Sequence, residues 1–189
     1  MISNGRHGEI INQIDVLRDV SLKLNEAGIP FMLTGSVAMN YYAQPRMTRD
    51  IDVVVSVHES DIQRIVDLFR SEYYISEDAV RECVENQSIF NVIHNESVIK
   101  VDFLQLKSDS YFRQAFQRRK QIQIQDFQTT IIGIEDLIIA KLVWSYDNHS
   151  EMQSNDIKNL LMIEHDGKYL KRHIKLLHLE SWFDEVKHG

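Results

Sequence analysis

Thr34-Gly35-Ser36, followed by Arg46-Met47-Thr48-Arg49-Asp50-Ile51-Asp52-Val53, is the stretch whose reading decides the fold. Phe31-Met32-Leu33 just before it reads as a short buried strand, and Val37 to Tyr42 just after Gly35-Ser36 reads as a helix. A strand–Gly–Ser–helix junction presents backbone N–H groups and a hydroxyl at a helix N-terminus, which makes an anion site. Glycine at that corner lets the backbone approach a phosphate closely. Ala43 to Arg49 is a connecting loop containing Pro45. Ile51 to Val57, rich in β-branched residues, reads as a central strand. Successive side chains on a strand point to opposite faces, so Asp50 and Asp52 project to the same side.

Two carboxylates side by side are costly unless a cation sits between them. Hard oxygen ligands of this kind suit magnesium, which keeps several waters and usually binds one or two carboxylates plus substrate phosphate. A third acid, Asp102, lies in Ile99-Lys100-Val101-Asp102-Phe103-Leu104 with apolar immediate neighbours. If that strand lies beside Asp50-Ile51-Asp52, the three acids can hold two metals about 3.5–4 Å apart. An Asp-x-Asp pair alone ordinarily marks a strand end or a solvated loop, and a lone Gly-Ser means less. Their combination in this order, with a later acid on an apolar strand, is much more specific.

Outward from this centre, Ile10, Ile14, Leu17, Val20 and Leu24 recur at helical spacing, and Gly28 with Pro30 closes that helix. His58 to Ser71 and a segment capped by Ser76 read as further helices. Ile89 to Ile93 and Val98 to Leu106 read as strands joined at His94-Asn95-Glu96. A short helix from Asp109 to Arg118 follows. Ile122 to Ile132 is β-like, interrupted near Asp126. From Ile134 the composition turns helical: Ile134 to Tyr146, Met152 to Glu164, and a last helix near Tyr169 to Val186. The fold class expected is α+β, a short mixed sheet backed by helices. Residues 1–133 form the core and residues 134–189 a helical part packed on it as one unit.

The chain has 189 residues with a net charge of −7, a balance that argues against a bulk DNA or RNA binder. Arg113 with Arg118-Arg119-Lys120, and Lys168 with Lys171-Arg172-Lys175, read as solvated helix faces, with phosphate or RNA contact as the functional alternative. The single cysteine, Cys83, makes no internal disulfide, which suits a reducing compartment. No apolar stretch approaches the ~20 residues of a membrane helix. The expectation is a cytoplasmic protein, without membrane contact, and a monomer in preference to an oligomer. No histidine pair stands at metal-ligand spacing. Trp144 and Trp182 read as core or helix-packing residues. Arg46 reads equally as a counter-ion to Asp50 and Asp52 or as a triphosphate contact.

The central stretch resembles the nucleotidyltransferase superfamily, in which Gly-Ser is followed after a short spacer by Asp, an apolar residue and a second Asp. Here Val37 to Arg49 is a thirteen-residue spacer, and Asp102 matches the third carboxylate. The likeness is strongest to the bacterial minimal nucleotidyltransferases and AbiEii-type toxins, whose Arg-x-Thr-x-Asp-x-Asp is reproduced by Arg46, Thr48, Asp50 and Asp52. Gly133 to Leu142 resembles the helix after the palm in these proteins, which implies that Lys141 faces the nucleotide phosphates. Their usual Arg-Asp or Lys-Asp pair is Asn155-Asp156 here, which puts a phosphate contact at position 155 in doubt.

The resemblance implies transfer of a nucleoside monophosphate from a nucleoside triphosphate, ATP included, to an acceptor hydroxyl on a small molecule, a tRNA end or a protein. Asp50, Asp52 and Asp102 would be catalytic and metal-binding. Magnesium would be the cofactor, as two ions or with manganese substituting. Gly35, Ser36, Arg46, Thr48 and Lys141 would contact the nucleotide. The alternative is a non-catalytic nucleotide- or metal-binding protein, or a partner subunit such as one half of a toxin–antitoxin pair.

Overall fold

The computed structural model describes residues 11–43, 45–48 and 50–188; Ile10 of the first expected helix and Arg49 of the central stretch lie outside them. The chain opens with α1 (Gln13–Glu26), β1 (Phe31–Leu33), α2 (Gly35–Tyr42), β2 (Asp50–Val55) and α3 (Ile62–Phe69). It continues with β3 (Tyr73–Tyr74), α4 (Glu77–Asn86), β4 (Ile89–His94), β5 (Lys100–Gln105) and α5 (Ser110–Gln117). The hairpin β6 (Lys120–Ile124) and β7 (Phe127–Ile131) precedes four helices, α6 (Ile134–Ser145), α7 (Glu151–Leu161), α8 (Gly167–Leu176) and α9 (Glu180–His188). Among the described residues the seven strands form one mixed sheet in the order β3-β4-β5-β2-β1-β7-β6.

Local chemistry sets these boundaries. Asn12 and Asp15 form a reciprocal capping box at the start of α1. Gly28, at φ +63°, ends it in the left-handed conformation that glycine adopts freely. Ser76 Oγ accepts from the Ala79 N–H and starts α4, as its position in the sequence indicates. In β2 burial alternates strictly, with Ile51, Val53 and Val55 buried and Asp50, Asp52 and Val54 on the other face. β5 repeats the pattern with Val101 and Phe103 buried.

The buried face carries the core. Phe90 stacks on Phe103 with ring centroids 4.9 Å apart, and Phe69 of α3 meets Phe103 at 5.4 Å. α6 is buried almost all round, so it is a central helix and not an amphipathic cover. One hydrophobic cluster runs from Val16 to Val186 and includes residues of all the C-terminal helices.

The structure corrects the sequence reading in two elements. The expected last helix is two, because His178 takes a left-handed backbone at φ +56° and turns the chain between α8 and α9. The second is the added strand β3, whose two residues carry no periodicity in the sequence.

Candidate active site

β2 and β5 run parallel in a register that sets Asp52 opposite Asp102 and Asp50 opposite Lys100. All four side chains rise from the open face of the sheet. Three acids separated by fifty residues of sequence therefore share one patch. Asp50 is about half exposed, at 46%, whereas Asp102 is 18% exposed.

Asp52 packs against the start of α2. A Cβ placed on Gly35 would lie 2.0 Å from Asp52 Oδ2, so only glycine leaves room for that carboxylate. Gly35 also holds φ +58°, a region strained for any other residue. The Ser36 N–H points at Asp52 Oδ2 from 3.4 Å. Burial pushes the Asp52 pKa up, and the charges of Asp102 and Asp50 add to that; the Ser36 N–H and Lys141 pull the other way.

One cation already sits among these acids. Lys100 Nζ lies 2.8 Å from Asp102 Oδ2 and 3.5 Å from Asp50 Oδ2. The hydrogen bond to Asp102, and the charges of both acids, hold its ammonium above the ordinary lysine value against some desolvation. Among the described residues no three histidine, cysteine or acidic groups are gathered closely enough to hold an ion as they stand. The donor set nevertheless fits a hard divalent cation. It offers carboxylate oxygens only, on one face, with mutual repulsion that a cation relieves and a cationic stand-in bridging two of them.

Behind the acids lies an ionic network in which Asp156 and Lys141 are buried and Arg46 is partly exposed. Arg46 donates from Nε to Asp156 Oδ1 at 3.1 Å and from Nη2 to Asp156 Oδ2 at 3.0 Å, a bidentate pair. Arg46 Nη2 also donates to Ser36 Oγ at 2.8 Å. Lys141 Nζ donates to Asp156 Oδ2 at 2.8 Å and to Gln153 Oε1 at 3.0 Å. Two cations thus share one carboxylate, leaving an excess positive charge next to Ser36. Burial opposes ionisation of Asp156, but the hydrogen bonds from Arg46 and Lys141 outweigh it and hold its pKa below the usual range. Lys141, sharing its partner with Arg46, has its pKa drawn down by burial despite Asp156. Asn40 fixes the loop, accepting from the Arg46 N–H at 2.9 Å and donating to the Arg46 carbonyl at 2.8 Å.

Arg46 is therefore the counter-ion of Asp156, not of Asp50 and Asp52. Thr48, in the loop before β2, donates from Oγ1 to the Asp50 carbonyl at 3.3 Å. Asp156 stood out in sequence only as the second half of Asn155-Asp156. The sequence carries a signal for Lys100: two residues before Asp102 on one strand, it has to share that face.

A cavity of about 490 Å³ extends from Gly35, Ser36 and Asp52 along the open face. Met32, Val54 and Leu104 line its sheet side, with Tyr111, Phe112 and Ala115 of α5 and Leu137, Ala140 and Lys141 of α6 around it. Trp144 also lines it and is 58% exposed, which overturns its reading as a core residue. Trp182 is buried as expected and donates from Nε1 to Ser145 Oγ at 2.9 Å. Neither basic cluster contributes a lining residue. Arg118 is instead paired with Glu135 and Asp136 and lies 3.8 Å from the Tyr169 ring centre.

The sequence matches the family described as "Nucleotidyl transferase of unknown function (DUF2204)" over residues 13–183. The chain belongs to this family. It is a nucleotidyltransferase, and its mixed sheet is that of the nucleotidyltransferase fold. No curated protein matches it in sequence. Among solved structures it is similar to the lincosamide antibiotic adenylyltransferase LnuA bound to lincomycin, with a TM-score of 0.55 and 15% identity over 82% of this chain and 100% of that one. It is also similar to the antibiotic-resistance factor ANT(2'')-Ia, with a TM-score of 0.59 and 10% identity over 93% of this chain and 95% of that one. A third likeness is to an antigenic nucleotidyltransferase-like protein from Paracoccidioides brasiliensis, with a TM-score of 0.52 and 16% identity over 77% and 72%. At these identities the likeness is one of fold. No helix of this nucleotidyltransferase is long and apolar enough to cross a membrane among the described residues.

Proposed function

We propose that this DUF2204 nucleotidyltransferase moves a nucleoside monophosphate from a nucleoside triphosphate to an acceptor hydroxyl, using Asp50, Asp52 and Asp102 as its divalent-metal ligands. The observation that carries the reading is the β2/β5 register, which sets Asp52 against Asp102 on the open face while Gly35 at the head of α2 holds Asp52 in place. Magnesium bound to these carboxylates, as one ion or two and with manganese as a substitute, would lower the pKa of the acceptor hydroxyl and neutralise charge on the triphosphate.

The chain's own groups do the rest. The N-terminus of α2 and the Ser36 hydroxyl hold the outer phosphates, and the excess positive charge of Arg46 and Lys141 over Asp156 stands directly behind Ser36. The nucleoside occupies the cavity, with Trp144 offering a ring face to the base. Asp102 accepts the proton of the acceptor hydroxyl. The acceptor oxygen then bonds to the α-phosphorus, the bond from that phosphorus to the bridging oxygen breaks, and pyrophosphate leaves. Positioning and charge neutralisation supply most of the rate. The acceptor approaches from the exposed Asp50 end of the strands, opposite the cavity. The net negative charge favours a small-molecule or protein acceptor over RNA.

Calorimetry with non-hydrolysable ATP and GTP analogues and magnesium tests the reading. Metal-dependent binding by the wild type, lost in Asp50→Asn/Asp52→Asn, is expected. A folded wild type that binds neither analogue, with or without magnesium, refutes it.

A further inference from the structure

Among the described residues, the one cation paired with Asp50 and Asp102 is the side chain of Lys100. It is not a distant surface lysine swung inward. Its Cα is paired with that of Asp50 across the β2/β5 ladder, and it precedes Asp102 by two residues on the same face. The strand geometry therefore keeps its stem over the carboxylates, and its Nζ touches Asp102 at 2.8 Å and Asp50 at 3.5 Å. The side chain is 38% exposed, so the ammonium has a route to solvent when it lets go. No other lysine or arginine among the described residues pairs with Asp50 or Asp102.

We propose that Lys100 is a positioning residue that competes with the divalent ion for Asp50 and Asp102, so that metal and nucleotide load together and not metal first. The inference rests on the metal-site reading above. An ion taking the Asp102 oxygen has to displace the ammonium, and the two cations repel each other while both remain on the patch. Carboxylates alone are a weak bait for a well-hydrated divalent ion. A nucleoside triphosphate brings additional oxygen ligands for the ion and an anionic partner for the released ammonium. In the resting protein Lys100 keeps the acids compensated. In the loaded protein it is free to lie against phosphate.

Direct binding of Mn²⁺ alone, without nucleotide, tests this, read from the electron paramagnetic resonance signal of the free ion. The comparison is between wild type, Lys100→Met, Lys100→Arg and Asp50→Asn/Asp52→Asn. Removal of a unit charge a few ångströms from the ion predicts binding tighter by about tenfold in Lys100→Met. Lys100→Arg keeps the charge and stays near the wild-type affinity. Equal affinity in wild type and Lys100→Met, both lost in the double Asn variant, overturns the competition and leaves the carboxylate site standing. No Mn²⁺ binding by folded wild type or Lys100→Met at millimolar concentration overturns both.

Discussion

Replacing Gly35 by alanine tests the packing on which the site depends. The added Cβ would stand 2.0 Å from Asp52 Oδ2, 2.6 Å from its Cγ and 2.9 Å from its Cβ. The backbone there is at φ +58°, so alanine is strained even before contact. Gly28 provides the internal control: its φ is +63°, and a Cβ there meets nothing within 4 Å. Left-handed strain costs about 1–2 kcal/mol in either variant, and overpacking against Asp52 adds about 1–3 kcal/mol only at Gly35. Gly35→Ala is thus expected to cost about 2–5 kcal/mol, and to lower Tm by roughly 5–15 °C for a chain of this size. The assay is urea unfolding of both variants alongside Asp52→Ala and the Gly35→Ala/Asp52→Ala double variant. Removing the Asp52 carboxylate recovers about 1–2 kcal/mol of the Gly35→Ala loss, because residues in contact are not additive. Gly35→Ala also loses magnesium-dependent nucleotide binding, since Asp52 has to swing out of position. Gly35→Ala and Gly28→Ala of equal stability, with a strictly additive double variant, would refute the reasoning.

Three further outcomes follow from the same geometry. The pKa of Asp52 is raised, so its contribution to stability is fully present below about pH 3.9 and is lost as pH rises through its folded value. Asp52→Asn without metal should therefore melt higher than wild type at pH 7, by roughly 2–4 °C per kcal/mol relieved, with the difference vanishing in acid; a lower Tm at pH 7 contradicts this. Asp156→Asn leaves the buried Lys141 and the Arg46 guanidinium without their carboxylate and is expected to cost about 3–5 kcal/mol. The Asp156 pKa is lowered, so that advantage of the wild type is complete above about pH 3.9 and shrinks as pH falls through the folded value, which unfolding curves from pH 7 to pH 2 will show. Trp144 lines the cavity while Trp182 is buried, so nucleotide with magnesium should change tryptophan fluorescence in wild type and not in Trp144→Phe; an unchanged response in that variant removes Trp144 from the nucleoside site.

The sequence by itself determined the parts that depend on neighbours along the chain. The alternation of Asp50, Ile51, Asp52 and Val53 predicts two acids on one face, and β2 shows it. Gly35-Ser36 after a short strand predicts a helix start at an anion-binding corner, and α2 begins there. These are legible because strand and helix periods act over a few residues. What only the tertiary structure decided depends on residues far apart in sequence. Asp102 faces Asp52 through a β-ladder register that neither strand encodes alone. Arg46 meets Asp156 across 110 residues and not the acids four and six residues away. Trp144 is exposed at a cavity wall because α6 is buried almost all round, so hydrophobicity no longer marks its inner side. Lys100 sits among the acids because a strand's period carries any residue two positions before Asp102 onto its face, and the parallel pairing of β5 with β2 turns that face into the site.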